Sequence, residues 1–157
     1  MDVDIDSSVT IRRAELRDVH AIMKLDRRVH PVAWSEPMTI KQTTGHGRLH
    51  FVVEIDPGIV AHGGVAVLAG DAHVTNIAVD PGHQRCGYGT AILGRLFEAA
   101  ETNGCRGITL EVRASNSPAL ALYQAAGFTS AGVRPHYYQN NKEDAVIMWK
   151  ELTNATH

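Results

Sequence analysis

The segment Gln84-Arg85-Cys86-Gly87-Tyr88-Gly89-Thr90 follows a β-branched strand pattern that ends at Val79, and it opens a regular apolar helix pattern. The first turn of a helix has N–H groups without internal partners and carries the positive end of the helix dipole, so it can receive a phosphate. Glycines at 87 and 89 remove side chains that would keep an anion from the backbone, and Arg85 adds positive charge. The segment therefore predicts a strand, a glycine-rich loop and a helix that together form a phosphate cradle.

This loop does not decide its own ligand. A glycine pair before a helix is also typical of an ordinary tight strand-to-helix turn. A dinucleotide fingerprint needs a third glycine, at the position where the chain has Ile92. A Walker loop needs Gly-Lys-Ser or Gly-Lys-Thr, and neither occurs in the chain. Both nucleotide fingerprints are excluded, whereas a phosphate cradle and a structural turn remain open.

Apolar spacing on either side of the loop predicts alternating strands and helices in an α/β fold. Strands are predicted at residues 9–13, 51–55, 59–68, 73–79, 108–113, 128–133 and 145–149. Helices are predicted at 14–29, after a cap at Ser35, between the glycine loop and Asn103-Gly104, and from a cap at Ser117 to Gly127. Because the sequence shows no repeat or linker, we expect a single domain over 1–157 with its core at about 9–150.

Composition limits the classes of function. The chain has 44% hydrophobic and 20% charged residues, and no apolar run approaches the roughly 18 residues of a membrane span. The segment 1–8 lacks the basic start and apolar stretch of a secretory signal, so we expect a cytoplasmic protein without a membrane role. A formal net charge of −2 provides no basic field, so direct nucleic-acid binding is not expected.

Cysteine and histidine spacing argues against a disulfide framework and against a metal centre. Neither Cys86 nor Cys105 lies in a CxxC pair. Nine histidines are present, but none forms an HExxH motif, and His46 and His50 merely flank Gly47. We therefore expect reduced thiols, surface histidines and no metal.

Several segments around the glycine loop resemble the GNAT acetyltransferases, and in particular their RimI branch, the bacterial enzymes that acetylate the N-terminal alanine of ribosomal protein S18. The loop resembles the acetyl-CoA motif of that family, together with the preceding residues 76–81. More specific matches are Leu110, Glu111, Val112, Arg113, Ala114, Ser115, Asn116, Ala119, Ala121, Leu122, Tyr123, Gly127 and Phe128, then Arg134, Tyr137, Tyr138, Glu143, Asp144, Ala145 and Met148. Before position 76 the match is thinner. There Trp34, Ser35 and Glu36 fit the branch, whereas Ala33 stands where relatives often have a proline.

The resemblance implies a mixed, mostly antiparallel sheet flanked by helices, with CoA entering where two central strands part. It also implies direct acetyl transfer from acetyl-CoA, in a ternary complex, to the α-amine of a protein N-terminus of the S18 kind. Glu111 matches the general base, and Tyr123 matches the general acid that protonates the departing thiolate. Positions that match cofactor contacts are Ile77, Ala78, Val79, Arg85, Cys86, Gly87, Tyr88, Gly89, Thr90, Asn116 and Tyr123. Peptide contacts are expected at Trp34, Tyr137 and Tyr138.

Residue chemistry alone leaves these roles open. Glu111 lies on the polar side of its strand with Arg113, and an exposed ion pair explains that pattern equally well. Tyr123 also fits an ordinary half-buried tyrosine, and the adjacent Tyr137 and Tyr138 also fit cross-strand packing.

Proton affinities favour an α-amine as the acceptor. A carboxylate of pKa about 4.3 that takes a proton from an α-ammonium of about 7.8 faces a gap of about 3.5 units, roughly 5 kcal/mol. Unless the pKa of Glu111 is raised, relay through water is expected. A lysine, at about 10.4, is neutral far less often near pH 7 than an α-amine. Two alternatives remain: acetylation of lysines or small amines, and a non-catalytic CoA-binding module.

Overall fold

The computed structural model describes residues 8–56 and 58–152, which form a seven-stranded sheet covered by helices on both faces. The strands are β1 (Val9–Arg13), β2 (Arg48–Ile55), β3 (Gly58–Leu68), β4 (Asp71–Val79), β5 (Gly107–Arg113), β6 (Thr129–Arg134) and β7 (Ala145–Glu151). The helices are α1 (Val19–Val29), α2 (Glu36–Thr44), α3 (Tyr88–Thr102) and α4 (Ser117–Ala125), with single 3-10 turns at Leu16–Asp18 and Pro81–His83.

Strand order in the sheet is β1-β2-β3-β4-β5-β7-β6. Every neighbouring pair is antiparallel except β4 and β5, which are parallel. The parallel pair requires a crossover, and α3 supplies it. The expected mixed, mostly antiparallel sheet flanked by helices is therefore confirmed.

Two helix starts differ from the prediction. The first α-helix begins at Val19 rather than residue 14, because the Asp18 carboxylate accepts the Glu15 N–H at 2.7 Å and is held by Arg12 at 2.8 Å. The predicted cap at Ser117 is wrong. Asn116 caps α4 by accepting the Ala119 N–H at 3.2 Å, and Ser117 is the first helical residue.

The two faces of the sheet have different interiors. On the face covered by α3 and α4, here the α3 face, the core is apolar and includes Ile92, Leu96, Ile108, Leu110 and Met148. On the face covered by α1 and α2, here the α1 face, the apolar cluster is small and consists of Ala14, Ile22 and Val52 with Ile59. Since alternate strand residues point to opposite faces, β2 supplies residues to both clusters.

A network of polar side chains, most of them fully buried, also lies on the α1 face. His50 and His62 are both 0% exposed, which contradicts the expectation of surface histidines. His50 Nε2 lies 2.9 Å from His62 Nδ1, and His62 Nε2 lies 2.7 Å from Asp26 Oδ1. Asn76 Nδ2 donates to both oxygens of Asp26, at 3.1 and 3.2 Å. We call His50, His62, Asp26 and Asn76 the buried polar network.

Within residues 8–56 and 58–152, no helix combines the length and the hydropathy needed to cross a lipid bilayer.

Candidate active site

The central feature of the site is a gap between β4 and β5. Their parallel pairing covers only Ala72↔Ile108 and His73↔Thr109, after which the strands part. Residues Asn76 to Val79 of β4 still pair with β3 on one side, but in the described part of the chain no strand pairs with them on the other. Their backbone groups on that side therefore face the gap and are available to a ligand.

The glycine loop lies at the end of this gap and opens α3. Gly87 is the N-cap and its φ is 86°, and among the residues that the structure describes no side chain caps the first turn of the helix. Arg85 also has a positive φ, 66°, which is unusual for a residue with a side chain and is typical of functional loops. The first-turn N–H groups of α3 therefore remain available for an anion, as a phosphate cradle requires.

The second glycine of the loop has a packing role. A Cβ at Gly89 would lie 3.2 Å from Leu122 Cδ2 of α4. Gly89 thus allows α4 to approach the start of α3, whereas Gly87 provides the left-handed backbone. The sequence predicts a ligand-access role for both glycines, and the packing role of Gly89 is visible only in the structure.

Asp80 fixes the turn that leads into the cradle. It is 7% exposed, and its Oδ2 accepts hydrogen bonds from Gly82 N at 3.1 Å and His83 Nδ1 at 2.8 Å. Its other oxygen forms an ion pair with Arg28 of α1. The hydrogen bond from His83 is the main reason that the pKa of Asp80 is lowered. The cradle is therefore attached to α1 through a carboxylate that sequence analysis did not single out.

Glu111 lies on β5 beyond the last pair with β4, and it faces the α1 side of the gap. Its Oε1 lies 2.8 Å from His73 Nε2, and this hydrogen bond lowers the pKa of Glu111 despite partial burial. The described residues do not form the Glu111–Arg113 ion pair that the sequence left open as an alternative. The partner is His73, which the parallel strand pairing brings from 38 positions away.

Arg113 instead holds the loop between β6 and β7. Its guanidinium lies 4.0 Å from the centre of the Tyr138 ring, and it contacts Glu143 at 3.4 Å. Glu143 also accepts the Ser115 N–H at 2.7 Å. These contacts attach the polar loop to the end of β5, beside the gap.

Tyr123 is 9% exposed on α4 and packs edge-on against Phe128, with ring centres 5.8 Å apart. Burial raises its pKa to about 12, and the neighbouring Tyr138 adds to the shift. Its hydroxyl makes no hydrogen bond to any of the residues that the structure describes. A phenol kept protonated and free of a protein partner is suited to donate a proton.

Tyr138 lies within electrostatic range of both proposed catalytic groups. It is half-buried, and it interacts electrostatically with both Glu111 and Tyr123. Tyr137 packs edge-on against it with ring centres 5.1 Å apart, and is itself 41% exposed. These two tyrosines follow the end of β6 and pack against each other, not across a strand pair. Tyr138 thus lies near both Glu111 and Tyr123, within the range of their electrostatic interaction.

Trp34 belongs to a different set of contacts. It is half-buried just before α2, where Ser35 caps the helix as predicted, and its ring centre lies 6.0 Å from that of His50. Across residues 8–56 and 58–152 it makes no ring contact with Tyr137 or Tyr138. Trp34 is therefore attached to the buried polar network and not to the Glu111 group.

The Acetyltransferase (GNAT) family model matches residues 19–128, which include the cradle, Glu111 and Tyr123. The chain belongs to the GNAT family. The GNAT resemblance seen in the sequence is thereby confirmed, and with it the α/β fold and an acetyltransferase activity.

GNAT relatives with named activities cover most of the chain. The ribosomal protein bS18-alanine N-acetyltransferase of Escherichia coli K12 is 38% identical over 141 residues, 88% of this chain and 95% of the relative. An N-alpha-acetyltransferase of Sulfurisphaera tokodaii is 33% identical over 88% of this chain and 90% of the relative.

Solved GNAT structures agree with this fold. The crystal structure of the Escherichia coli S18-alanine N-acetyltransferase has a TM-score of 0.84 and 36% identity, covering 92% of this chain and 94% of that one. Arabidopsis thaliana NAA60, with a TM-score of 0.85 and 13% identity over 93% of this chain and 99% of that one, shares the fold.

Across the part of the chain that the structure describes, no three histidine, cysteine, aspartate or glutamate side chains are grouped so that they could hold a metal ion.

Proposed function

We propose that this GNAT enzyme acetylates the N-terminal α-amine of a protein, with the N-terminal alanine of an S18-like ribosomal protein as its substrate. The observation that carries the proposal is the gap between β4 and β5. It has a phosphate cradle at one end and Glu111, Tyr123 and Tyr138 around it. The proposed setting is the cytoplasm, with a protein as acceptor and no direct nucleic-acid contact.

Acetyl-CoA fits the chain's own groups. In the described part of the chain, the backbone of Ile77, Ala78 and Val79 has no strand partner on the gap side, and it would pair with the amides of the pantetheine arm, as an added strand does. Residues 85–90, which are Arg85, Cys86, Gly87, Tyr88, Gly89 and Thr90, would hold the pyrophosphate on the free first turn of α3. A groove of about 560 Å³ between α3 and α4 includes Thr90 in its lining and would receive the nucleotide end.

Asn116 has a second role in the proposal. Its Oδ1 is committed to the cap of α4. Its Nδ2 makes no hydrogen bond to a described residue, and we assign that group to CoA.

The residues around the gap act as acid and base in the transfer of the acetyl group from the thioester of acetyl-CoA to the amine. The neutral amine attacks the carbonyl carbon, the C–N bond forms and the C–S bond breaks. Tyr123 donates its hydroxyl proton to the departing thiolate and regains one from solvent. Because the pKa of Glu111 is lowered rather than raised, direct proton abstraction by this carboxylate is unfavourable, and water has to carry the proton that the amine loses.

The acceptor is assigned to the α1 side of the gap. Tyr137 and Tyr138 lie on the loop that Arg113 attaches to β5, and Trp34 lies before α2 on the same face of the sheet. We propose that these three aromatic side chains contact the N-terminal residues of the peptide. An α-amine suits a site without a strong base, because it is neutral more often than a lysine.

Two substitutions test the catalytic roles. Glu111→Gln and Tyr123→Phe should each lower kcat by about 100-fold to 10,000-fold and change the KM for acetyl-CoA far less. Glu151→Gln, at the exposed end of β7, is the matched control and should keep full activity. Near-normal turnover in both site variants would remove these residues from catalysis.

A peptide panel tests the acceptor. The enzyme should acetylate a peptide with the free N-terminal alanine of S18 and leave its N-terminally blocked form unchanged, even when that form contains lysine. Equal turnover of blocked, lysine-containing peptides would replace the proposal with lysine acetylation.

A further inference from the structure

His73 occupies the point where the two central strands part. It forms the last parallel pair, with Thr109, and its Nε2 lies 2.8 Å from Glu111 Oε1. The His73 side chain is 43% exposed, whereas that of Glu111 is 17% exposed. His73 therefore connects a largely buried carboxylate of the active site with solvent.

We propose that His73 is the acceptor of the proton that the substrate amine loses, and that Glu111 acts by orienting its ring and stabilising its charged form. This inference rests on the proposed acetylation of an α-amine. Glu111 accepts the Nε2–H of His73, which leaves the lone pair of Nδ1 open. The proton passes from the ammonium through water to Nδ1, and the resulting imidazolium lies against the Glu111 carboxylate. After acetyl transfer, the imidazolium releases this proton to solvent.

Relative basicity favours the imidazole. Carboxylates titrate about 3.5 pH units below an α-ammonium, whereas imidazoles as a class titrate only about 1.3 units below it. Proton transfer to an imidazole is thus about 150-fold less unfavourable. In this structure the hydrogen bond from His73 lowers the pKa of Glu111, which widens the gap for the carboxylate. Glu111 therefore stays ionised, because its pKa is lowered, and the histidine takes the proton, because an imidazole is the stronger base.

Other charged and titratable groups reach this pair from β6 and from the β6–β7 loop. Arg134, at the end of β6, favours the ionised form of Glu111, and Tyr138, on the β6–β7 loop, interacts electrostatically with Glu111. Ala66, which pairs with His73 on β3, carries no charge. Among the described residues, Glu111 is therefore the charged group that directly contacts the imidazole.

An ordinary surface ion pair has the same geometry but different consequences. Such pairs contribute little to stability and nothing to turnover. His73→Gln distinguishes the two explanations, because glutamine keeps an N–H that can reach Glu111 but does not titrate near neutral pH. His20→Gln, a substitution of an 85% exposed histidine on α1, is the control.

The experiment compares pH profiles of kcat with an N-terminal alanine peptide and its blocked form as acceptors. We expect His73→Gln to lower kcat near pH 7 by about 100-fold and to leave the KM for acetyl-CoA unchanged. The substitution should also remove the acid limb of the profile, which is the decrease of kcat at low pH. Added imidazole should restore turnover to His73→Ala in proportion to its free-base concentration. It should not restore Glu111→Gln.

Two results would overturn the inference. A His73→Gln enzyme with the wild-type kcat and acid limb would show that the pair is structural while leaving the proposed function intact. Wild-type enzyme that acetylates the blocked peptide as fast as the free one would defeat the proposed function and, with it, the role of His73.

Discussion

Gly63 and Gly64 are neighbours on β3, yet they meet two differently built faces of the sheet. A Cβ at Gly63 would lie 2.6 Å from Ile92 Cγ2, in the apolar core beneath α3. A Cβ at Gly64 would lie 2.2 Å from His50 Nδ1, in the buried polar network beneath α1. The α3 face is therefore stabilised mainly by apolar area, whereas the α1 face combines a smaller apolar cluster with specific hydrogen bonds between buried polar groups.

This difference changes what each face tolerates. Apolar packing adapts to a substitution by small shifts of several side chains, at a cost that follows lost area and volume. A buried hydrogen-bonded network loses the partner of every group that it contained. Substitutions on the α1 face should consequently cost more than their size suggests, and their cost should depend on pH.

Asp26→Ala is expected to have the largest effect on stability. Asp26 is 0% exposed and is bonded to His62 and Asn76, so its removal leaves both without their partner. We expect a loss of about 3–5 kcal/mol in the free energy of unfolding, measured in urea. Asp26→Asn keeps one acceptor oxygen and should lose clearly less. A loss below about 1 kcal/mol for Asp26→Ala would mean that the Asp26–His62 pair contributes no more than a surface ion pair does. The contrast between the two faces would then not hold.

Adding one methyl group to each neighbouring glycine compares the faces directly. Gly63→Ala and Gly64→Ala should each destabilise the protein by about 1–3 kcal/mol through overpacking. Gly64→Ala should cost more, because it also displaces His50 from its 2.9 Å contact with His62. Replacing His50 with alanine as well should recover part of that cost, and a double-mutant cycle measures it. Strict additivity of the two changes would mean that His50 is not the obstacle.

The pH dependence of stability should come from the α1 face. Burial holds the pKa of His50 well below its usual range, so below about pH 6.5 the unfolded state binds a proton that the folded state does not. As the pH decreases below about 6.5, the free energy of unfolding should then fall by up to about 1.4 kcal/mol for each pH unit on account of this group. His50→Gln should flatten the slope, measured by urea unfolding at several pH values.

A substitution on the α3 face is the control for that experiment. Leu96→Ala should lower stability by about 2–5 kcal/mol at every pH and leave the slope unchanged. A steep slope that persists in His50→Gln would assign the pH dependence elsewhere, with His30, whose pKa burial also lowers, as the next group to replace.

The same contrast explains what the sequence could predict. Elements of the α3 face follow local periodicity, so α3, its stop at Asn103, the strands around it and the glycine loop could be located from spacing alone. The parting of β4 and β5 was implied by the family resemblance, and the structure contains it. Roles for Glu111, Tyr123 and the cofactor contacts stay predictions, which the kinetic variants test.

Contacts on the α1 side join residues that no local pattern relates. His62 lies 12 positions from His50 and 36 from Asp26, and His73 lies 38 from Glu111. Each histidine lies in a strand among apolar neighbours. This local context does not reveal whether the imidazole bonds to water or to a buried carboxylate. Alternation alone does not place His50 and His62 on one face of the β2–β3 pair, because the register of the two strands shifts between Val53 and Glu54.

Asn116→Ala is expected to have the smallest effect on stability. It tests a residue of the α3 face that caps α4 and is also proposed to contact CoA. Loss of the bond to Ala119 N should cost about 1 kcal/mol in unfolding free energy. Asn116→Ser separates the two roles, because a serine hydroxyl can cap the helix but lacks the amide N–H that we assign to CoA. Asn116→Ser should therefore keep near-normal stability and raise the KM for acetyl-CoA. An unchanged KM in Asn116→Ser would make Asn116 a helix cap alone, and the binding of CoA would then depend on the cradle and the free edge of β4.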